Sequence, residues 1–402
     1  MGIKIGMILD NEFDGDPRVE NEVLSLQNAG HQVFVLCYNW SNKQNSKFHG
    51  AEIIRMNLNR ELCKKLKGLN HTVFNFYTWL WARWIRKFVA KYEIEVLHVH
   101  DLWMVNSAIK ANNSFGRRLP MYFDLHENFV YALSHYKYAN RFPGKYLISK
   151  EKWKNSEPKW LRQADKIIVV IEEARDRVEK LGISGDKIEV VANYVNIDEF
   201  KKDNAQLTAK LREENKVFFT MTYTGGFDIH RGLEIAVKAV PTVLKSIPNF
   251  KFILVGGGSN KEDLKKIAKK LGVEEAVYFA GYRPFQELPS YVKSSDICII
   301  PHLKTPHTDN TIPHKLFQYM VMNKVVIASD CAPIKRIIHE TESGFIYRFD
   351  SPEECAQAIV DAYNADREAI GRKGHTAVKN KYNWNETSKN LLKLYTVDGV
   401  NR

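Results

Sequence analysis

The feature that most constrains this chain is an alternation running through nearly all of it, in which a short apolar run gives way to a polar or glycine-bearing turn and then to a stretch with helical spacing. The opening KIGMILD leads into DPRVENEVLSLQNAG, which reads as a helix closed by Gly30, and HQVFVLCYN is the next run. EVLHVHD, MYFDLHE and KIIVVIEE extend the series. Successive runs are separated by enough residues for a crossover helix, as parallel strands require. After NYVNIDEFKKDN the pattern starts again: VFFTMTYTGG, a helix from Leu233, KFILVGGG, a helix from Glu262, VYFAGY, DICIIPH and KVVIASD.

At 402 residues the chain exceeds what a single hydrophobic core serves. The two series therefore predict an α/β protein of two Rossmann-like domains, residues 1–195 and 196–381, whose parallel sheets turn their carboxyl-end loops toward a central cleft. Within 382–402, YNWNETSKNLLKLY has helical periodicity and is expected to pack back on the first domain.

Hydrophobic residues at 44% and charged residues at 26% exclude disordered, collagen-like and coiled-coil classes. Nowhere do eighteen apolar residues run together, so a spanning helix is not expected. The start MGIKIGMILDNEFDGDPRV passes from a short apolar stretch into acids with no cationic leader, unlike a signal peptide. Cys37, Cys63, Cys298, Cys331 and Cys355 form no CxxC pair, which argues against a disulfide framework or a zinc site and for the reducing cytoplasm. Of the net charge of +12, residues 62–91 hold +7 and 131–162 hold +6, so the remainder is close to neutral. Both stretches interleave aromatics, Phe74, Phe76, Tyr77, Trp79, Trp81, Trp84 and Phe88 in one and Tyr131, Tyr136, Tyr138, Phe142, Tyr146, Trp153 and Trp160 in the other. Basic and aromatic residues together suit an anionic membrane surface, reached peripherally from the inner face; aromatics in a core with lysines outside are the alternative. No nucleic-acid-binding module is present, and no nucleic-acid partner is expected.

Several segments carry candidate chemistry. In YTGGFDIHRGLE, Gly225 and Gly226 follow a strand and let backbone approach a phosphate, with Arg231 as the cation. In NTIPHKLFQYM, Pro313 at a helix start leaves backbone N–H groups free for a diphosphate, and Lys315 adds charge. VGGGSN reads mainly as a strand-to-helix turn, since no third glycine follows in register. His126 sits at a strand end in FDLHEN, followed by Glu127. His98, His100 and Asp101 in HVHD share a strand, but the two histidines have no obvious further ligands, so no metal is expected.

Taken jointly, NTIPHKLFQYMVMNKVVIASD, DPRVENEVLSLQNAGHQVFVLCYN, HVHD, DLHE and VVANYVNIDEF resemble glycosyltransferase family 4, retaining enzymes of the GT-B fold, over most of the chain. The resemblance implies sugar transfer from a nucleoside-diphosphate sugar, UDP- or GDP-linked, to a hydroxyl of a cell-envelope or surface-polysaccharide acceptor, possibly lipid-linked, with no cofactor or metal. It places the donor on Thr311, Ile312, Pro313, His314, Lys315, Leu316 and Gln318, with Gly15, Gly225, Gly226 and Arg283 beside it, and gives catalytic roles to His126, Arg231, Lys315 and Asn310. Gly15 would approach the donor and Arg18 the acceptor. The family usually carries glutamates where this chain has Asn310 and Gln318; an amide carbonyl at Gln318 can still accept from ribose hydroxyls. A sugar-nucleotide epimerase of the same fold and a non-catalytic nucleotide-sugar-binding subunit are the alternatives, separable by turnover.

Overall fold

The computed structural model describes residues 2–70, 75–133 and 149–396, without the side chains of residues 64, 65, 68, 69, 132 and 199. It divides into two compact units, Met1–Ala192 with Thr387–Arg402, and Asn193–Glu386.

In the first unit the described strands are β1 (Lys4–Ile8), β2 (Gln32–Tyr38), β3 (Ser46–Phe48), β4 (Ala51–Met56), β5 (Val96–His100), β6 (Met121–Leu125), β7 (Lys166–Val169) and β8 (Ile188–Val190). They form one sheet in the order β3-β4-β2-β1-β5-β6-β7-β8, parallel except for the β3–β4 pair. Every residue of β5 and β6 is buried, as expected of strands covered on both faces. The helix Pro17–Asn28 follows β1; Asp16 caps it by accepting from the Val19 N–H, and Pro17 opens its first turn.

The second unit holds β9 (Phe219–Gly226), β10 (Phe250–Gly257), β11 (Val277–Gly281), β12 (Ile297–Ile300), β13 (Val325–Ser329) and β14 (Gly344–Tyr347), in the order β11-β10-β9-β12-β13-β14. All five pairings are parallel, and the order is that of a doubly wound dinucleotide-type sheet. Its core gathers the inward residues of β9, β10 and β13 against the helices Leu233–Ser246 and Pro352–Asn364.

The apolar runs read from the sequence all lie on strands; β3, β4, β8 and β14 were not anticipated. β4, AEIIRM, alternates buried and half-buried residues, a period-2 pattern open to reading. β8 and β14 are three and four residues long, too short to carry a period.

The unit boundary falls at Ala192 rather than 195, and the return begins at Thr387 rather than 382. Local pairing explains the shift: Val195 bridges Asn383, and Tyr194 packs edge-on to Phe317 and Tyr382 at 4.7 and 5.3 Å. From Thr387 onward, within the helix Trp384–Lys393, the chain belongs to the first unit, where the Thr387 hydroxyl accepts from the Ala192 N–H at 2.7 Å and Tyr122 donates to the Leu394 carbonyl at 2.9 Å.

Candidate active site

In the second unit the strand order reverses between β9 and β12, and the loops after these strands carry its concentrated charge. Tyr223 closes the turn after β9 by donating to the Gly226 carbonyl at 2.7 Å, while the Thr224 N–H donates to the Tyr319 hydroxyl at 2.9 Å. Gly225 sits at φ 132°, and Gly256 at the end of β10 has φ 138°. A Cβ on Gly256 would lie 2.0 Å from the Gly225 carbonyl oxygen. The glycines of VGGGSN thus let one strand end run against the other, before the helix Lys261–Lys270 begins.

Arg231 is fixed from the loop after β12. Leu303 N–H donates to the His230 carbonyl at 3.0 Å, and Arg231 Nη1 lies 3.1 Å from His302 Nε2. Burial first, and then the cations of Arg231 and Lys315, hold His302 well below the usual histidine range. The ring is therefore neutral, and its Nε2 accepts from Arg231.

Lys315 reaches the same turn from the helix His314–Val321, with Nζ 3.8 Å from the Tyr223 ring centroid and only 9% of the residue exposed. Burial and then Arg231 push its pKa well below the ordinary lysine range. Among the described residues no carboxylate pairs with Lys315 or Arg231, and Arg231 Nε is buried without a partner. Two basic side chains without carboxylate partners beside a glycine turn form a place suited to an anionic group.

The neighbouring candidates divide. Pro313 precedes the helix start, which no side chain caps, and His314 and Gln318 stand one turn apart on it, both half-buried. Ile312 and Leu316 are 5% and 0% exposed, so their side chains are core, and the Leu316 N–H is already bonded to the Pro313 carbonyl at 3.1 Å. Both side chains pack the core rather than line the turn. Asn310 turns its amide back to the Pro306 carbonyl at 2.7 Å, and Thr311 donates to the His307 carbonyl at 3.1 Å, because the loop satisfies its own polar groups. Arg283 follows β11, at the sheet edge, with its guanidinium 5.9 Å from the Tyr291 ring centroid; it does not join Arg231 and Lys315.

In the first unit the order reverses between β1 and β5, where a second charged group is assembled from three elements. Arg18 and Glu22 share one face of the helix Pro17–Asn28, four residues apart. His98 and His100 share one face of β5, and β6 sets Asp124 opposite His100. Arg18 donates from Nε to Asp124 Oδ2 at 3.0 Å and from Nη2 to Oδ1 at 2.8 Å, lies 3.1 Å from Glu22 Oε1, and uses Nη1 on the Val191 carbonyl. Arg18 is 3% exposed, so its charge is spent inside the unit and not on an acceptor. Gly15 is exposed, and its N–H bonds Glu20 at 2.8 Å.

His126, at the end of β6, has Nε2 3.2 Å from Asp124 Oδ2 and 3.1 Å from His100 Nδ1, and Nδ1 3.8 Å from Asp101 Oδ1. Burial opposes its charge, yet Asp101 and Asp124 overcome this and hold its pKa up at about 10. Burial drives His100 down to about 3, helped by His98, and raises Asp101 to about 6 against the pull of His126. Glu22 is pushed well above the carboxylate range by burial and then by Asp124, whereas Arg18 takes Asp124 well below it despite burial. Asp101 occupies φ 66° and ψ 145°, a backbone region glycine dominates, at a cost of about 1–3 kcal/mol.

Glu22, His98, His100 and Asp124 offer four ligand atoms within 4.8 Å of one another, the composition of a metal centre. Sequence reasoning found no partners for the HVHD histidines because Glu22 arrives from another element. The cluster nevertheless contains its own cation. Arg18 lies on both carboxylates, and Arg18 and His126 balance Asp124 and Asp101 once Glu22 holds a proton.

Residues 219–365 match the family model described as "Glycosyl transferases group 1", and residues 18–199 match that described as "Glycosyltransferase Family 4". The chain belongs to the family 4 glycosyltransferases. It is 21% identical over 99% of its length to 95% of a phosphatidyl-myo-inositol mannosyltransferase from Mycolicibacterium smegmatis. Among solved structures it is similar to sucrose-phosphate synthase from Thermosynechococcus elongatus, with a TM-score of 0.76 at 17% identity over 98% of both chains. It is also similar to the Anabaena protein HepE in complex with UDP-glucose, with a TM-score of 0.69 at 14% identity over 98% of this chain and all of that one. The fold of this glycosyltransferase is GT-B.

The aromatic stretches of the glycosyltransferase fit the core reading more than the membrane one. Tyr77, Trp81, Phe88, Trp153 and Trp160 are buried, with Trp153 edge-on to Trp103, Phe129 and Trp160 at 4.8–5.7 Å. Tyr77 donates to Asp10, which also pairs with Lys67, so that lysine faces inward. Phe76 and Trp79 stay 65% and 56% exposed, near the exposed Arg83 and Lys87. Phe74, Tyr136, Tyr138, Phe142 and Tyr146 lie outside the described residues.

His302, Asp124 and Glu22 were missed as members of these sites. The first two sit in or just after strands, in CIIPH and FDLHEN, the same signal that singled out His126.

Proposed function

We propose that this glycosyltransferase is a retaining hexosyltransferase, moving a sugar from a UDP- or GDP-sugar to a hydroxyl of an envelope or surface-polysaccharide acceptor. The observation that carries the donor half is the pair of basic side chains, Arg231 and Lys315, which have no carboxylate partners among the described residues and lie beside the Gly225–Gly226 turn. A departing nucleoside diphosphate gains negative charge in the transition state, and prepositioned cations stabilise it most there. His302 holds the Arg231 guanidinium, while the helix start after Pro313, which its N-cap side chain does not cap, turns the positive end of the helix toward the diphosphate. Gln318 accepts from the ribose hydroxyls through its carbonyl. That HepE is described in complex with UDP-glucose supports a nucleotide-sugar donor.

Transfer is expected to need no metal, because the two cations meet the diphosphate directly and Arg18 already fills the cation's place in the first unit. Activity unchanged by chelator is the check; its loss, restored by a divalent ion, would refute that part. The mannosyltransferase relative acts on phosphatidyl-myo-inositol, which supports a lipid-linked acceptor. No helix among the described residues is long and apolar enough to cross a membrane. The membrane contact we propose is peripheral, at the cytoplasmic face, through Phe76, Trp79, Arg83 and Lys87, which are exposed, and the basic residues of 131–162. Flotation with anionic liposomes that survives replacement of these four would remove them from the contact.

The decisive experiment titrates the chain with UDP, GDP and their hexose derivatives in a thermal-shift assay, since a ligand of the native state raises its melting temperature. Nucleoside diphosphate release is then measured with the derivative that binds. Arg231→Ala is expected to lose roughly 10²-fold or more in turnover with an unchanged fold. Wild-type turnover in that variant would take Arg231 out of the site.

A further inference from the structure

A buried arginine is ordinarily held by a carboxylate, whose two oxygens match its fork and cancel its charge. Arg231 is held differently. Among the described residues its side-chain hydrogen bond runs from Nη1 to Nε2 of His302, at 3.1 Å. His302 is 3% exposed; burial acts most on its ring, and Arg231, Lys315, His230 and His307 follow, none of them an acid. A neutral imidazole that accepts at Nε2 carries its proton on Nδ1 and brings no charge to the contact.

The contact is built into the backbone on both sides. His302 comes two residues after β12, and its carbonyl accepts from the hydroxyl of Ser329, the last residue of β13, at 2.6 Å. Leu303, next to His302, donates its N–H to the carbonyl of His230, next to Arg231. On the other flank Gly232, at φ 65°, lies so close to the Pro301 carbonyl that a Cβ would have no room. Residues 230, 231 and 232 thus face 303, 302 and 301 in order, and the Arg231–His302 bond is the middle of that seam. A hydrogen bond to a neutral acceptor fixes the direction of a guanidinium and leaves its charge whole. A carboxylate in the same place would hold it more tightly and cancel the charge that a departing diphosphate needs.

We propose that His302 is a positioning residue for sugar transfer, aiming Arg231 at the diphosphate through an uncharged acceptor so that the guanidinium keeps its full charge for the transition state. The inference rests on the reading of Arg231 as the diphosphate cation and adds the residue that aims it. His302 acts through Arg231 and not on the ligand.

The test compares His302→Gln, His302→Leu and His302→Glu in the full chain. A glutamine carbonyl accepts without charge, leucine cannot accept, and glutamate accepts while adding a negative charge. Turnover is read with whichever of UDP-glucose, UDP-galactose, UDP-N-acetylglucosamine and GDP-mannose releases its nucleoside diphosphate, and the melting temperature of each variant is recorded. The glutamine variant is expected within about threefold of wild type in kcat, the leucine variant about tenfold down, and the glutamate variant roughly 10²-fold down, near Arg231→Ala. The losses should fall on kcat more than on KM, because the charge on the diphosphate grows as it departs. The glutamate variant should nevertheless melt no lower than the leucine variant, since its carboxylate pairs with Arg231. A purely structural role would give the opposite order, with the most firmly held arginine in the better enzyme. In an Arg231→Ala background, His302→Leu should change kcat by less than about twofold, because no guanidinium is left to aim. Wild-type kcat in the leucine variant, a glutamine variant as impaired as leucine, a glutamate variant as active as glutamine, or a full tenfold loss from leucine in the Arg231→Ala background would each overturn the assignment of His302. Wild-type protein that turns over none of the nucleotide-sugars would instead overturn the glycosyltransferase reading. Inorganic pyrophosphate then becomes the probe, with affinity expected to fall in the order wild type, glutamine, leucine, glutamate; equal affinities would remove His302 from the aiming of Arg231.

Discussion

Replacing Arg18 by methionine removes a cation from the interior while roughly keeping its volume. Asp124, fully buried, would lose its bonds from Nε at 3.0 Å and from Nη2 at 2.8 and 2.9 Å. Glu22 would lose a contact at 3.1 Å and the Val191 carbonyl a donor at 2.8 Å. Breaking a buried ion pair from one side costs about 3–5 kcal/mol, since a buried charge is left uncompensated. His126 remains 3.2 Å from Asp124 and keeps part of that compensation, which places the loss near the lower end, about 3 kcal/mol. For a unit of this size that lowers the melting temperature by roughly 10 °C. Tryptophan fluorescence during urea unfolding isolates the effect. Of the eight tryptophans, Trp40, Trp79, Trp81, Trp84, Trp103, Trp153 and Trp160 belong to the first unit and Trp384 to the second. Adding Asp124→Asn should recover more than half of the loss, because the penalty lies in the orphaned carboxylate. A loss under about 1 kcal/mol, or an Asp124→Asn that rescues nothing, would refute the assignment of Arg18 as the buried counter-ion.

Two further outcomes follow from the same electrostatics. Lys315→Met should leave the ligand-free protein as stable or more so, since burial already disfavours its charge, while UDP and GDP binding weakens at least tenfold; a destabilised variant with normal binding would make Lys315 structural. His126 should titrate near 10 in histidine NMR spectra, and His100 should stay neutral down to about 3. A raised histidine pKa stabilises fully below its unfolded value near 6.5 and ceases to as pH rises through about 10, so the stability gap between wild type and His126→Gln should close across that window; a gap that widens has the wrong sign.

How far the sequence reached is clearest at particular residues. Gly225, Arg231 and Lys315 lie together, as their motifs imply, because each occupies a loop or helix start next to a strand end, a position that local periodicity reveals. Leu316 marks where that reasoning ends: proximity in sequence to a helix start does not say which way a side chain points, and the Leu316 side chain points into the core. Arg18 was expected near the acceptor, and its buried partner, Asp124, lies 106 residues away, beyond the reach of local pattern.

By itself the sequence determined the alternation of strand and helix, hence the parallel sheets, and the strand ends where polar residues gather. Those follow from contacts between near neighbours along the chain. Only the tertiary structure decided which polar groups meet. Arg231 finds His302 across 71 residues, and His98 accepts the Tyr395 hydroxyl's company across 297, at 2.7 Å. A side chain's protonation and reach depend on charges and burial within a few ångströms, and the chain brings those together only when it folds.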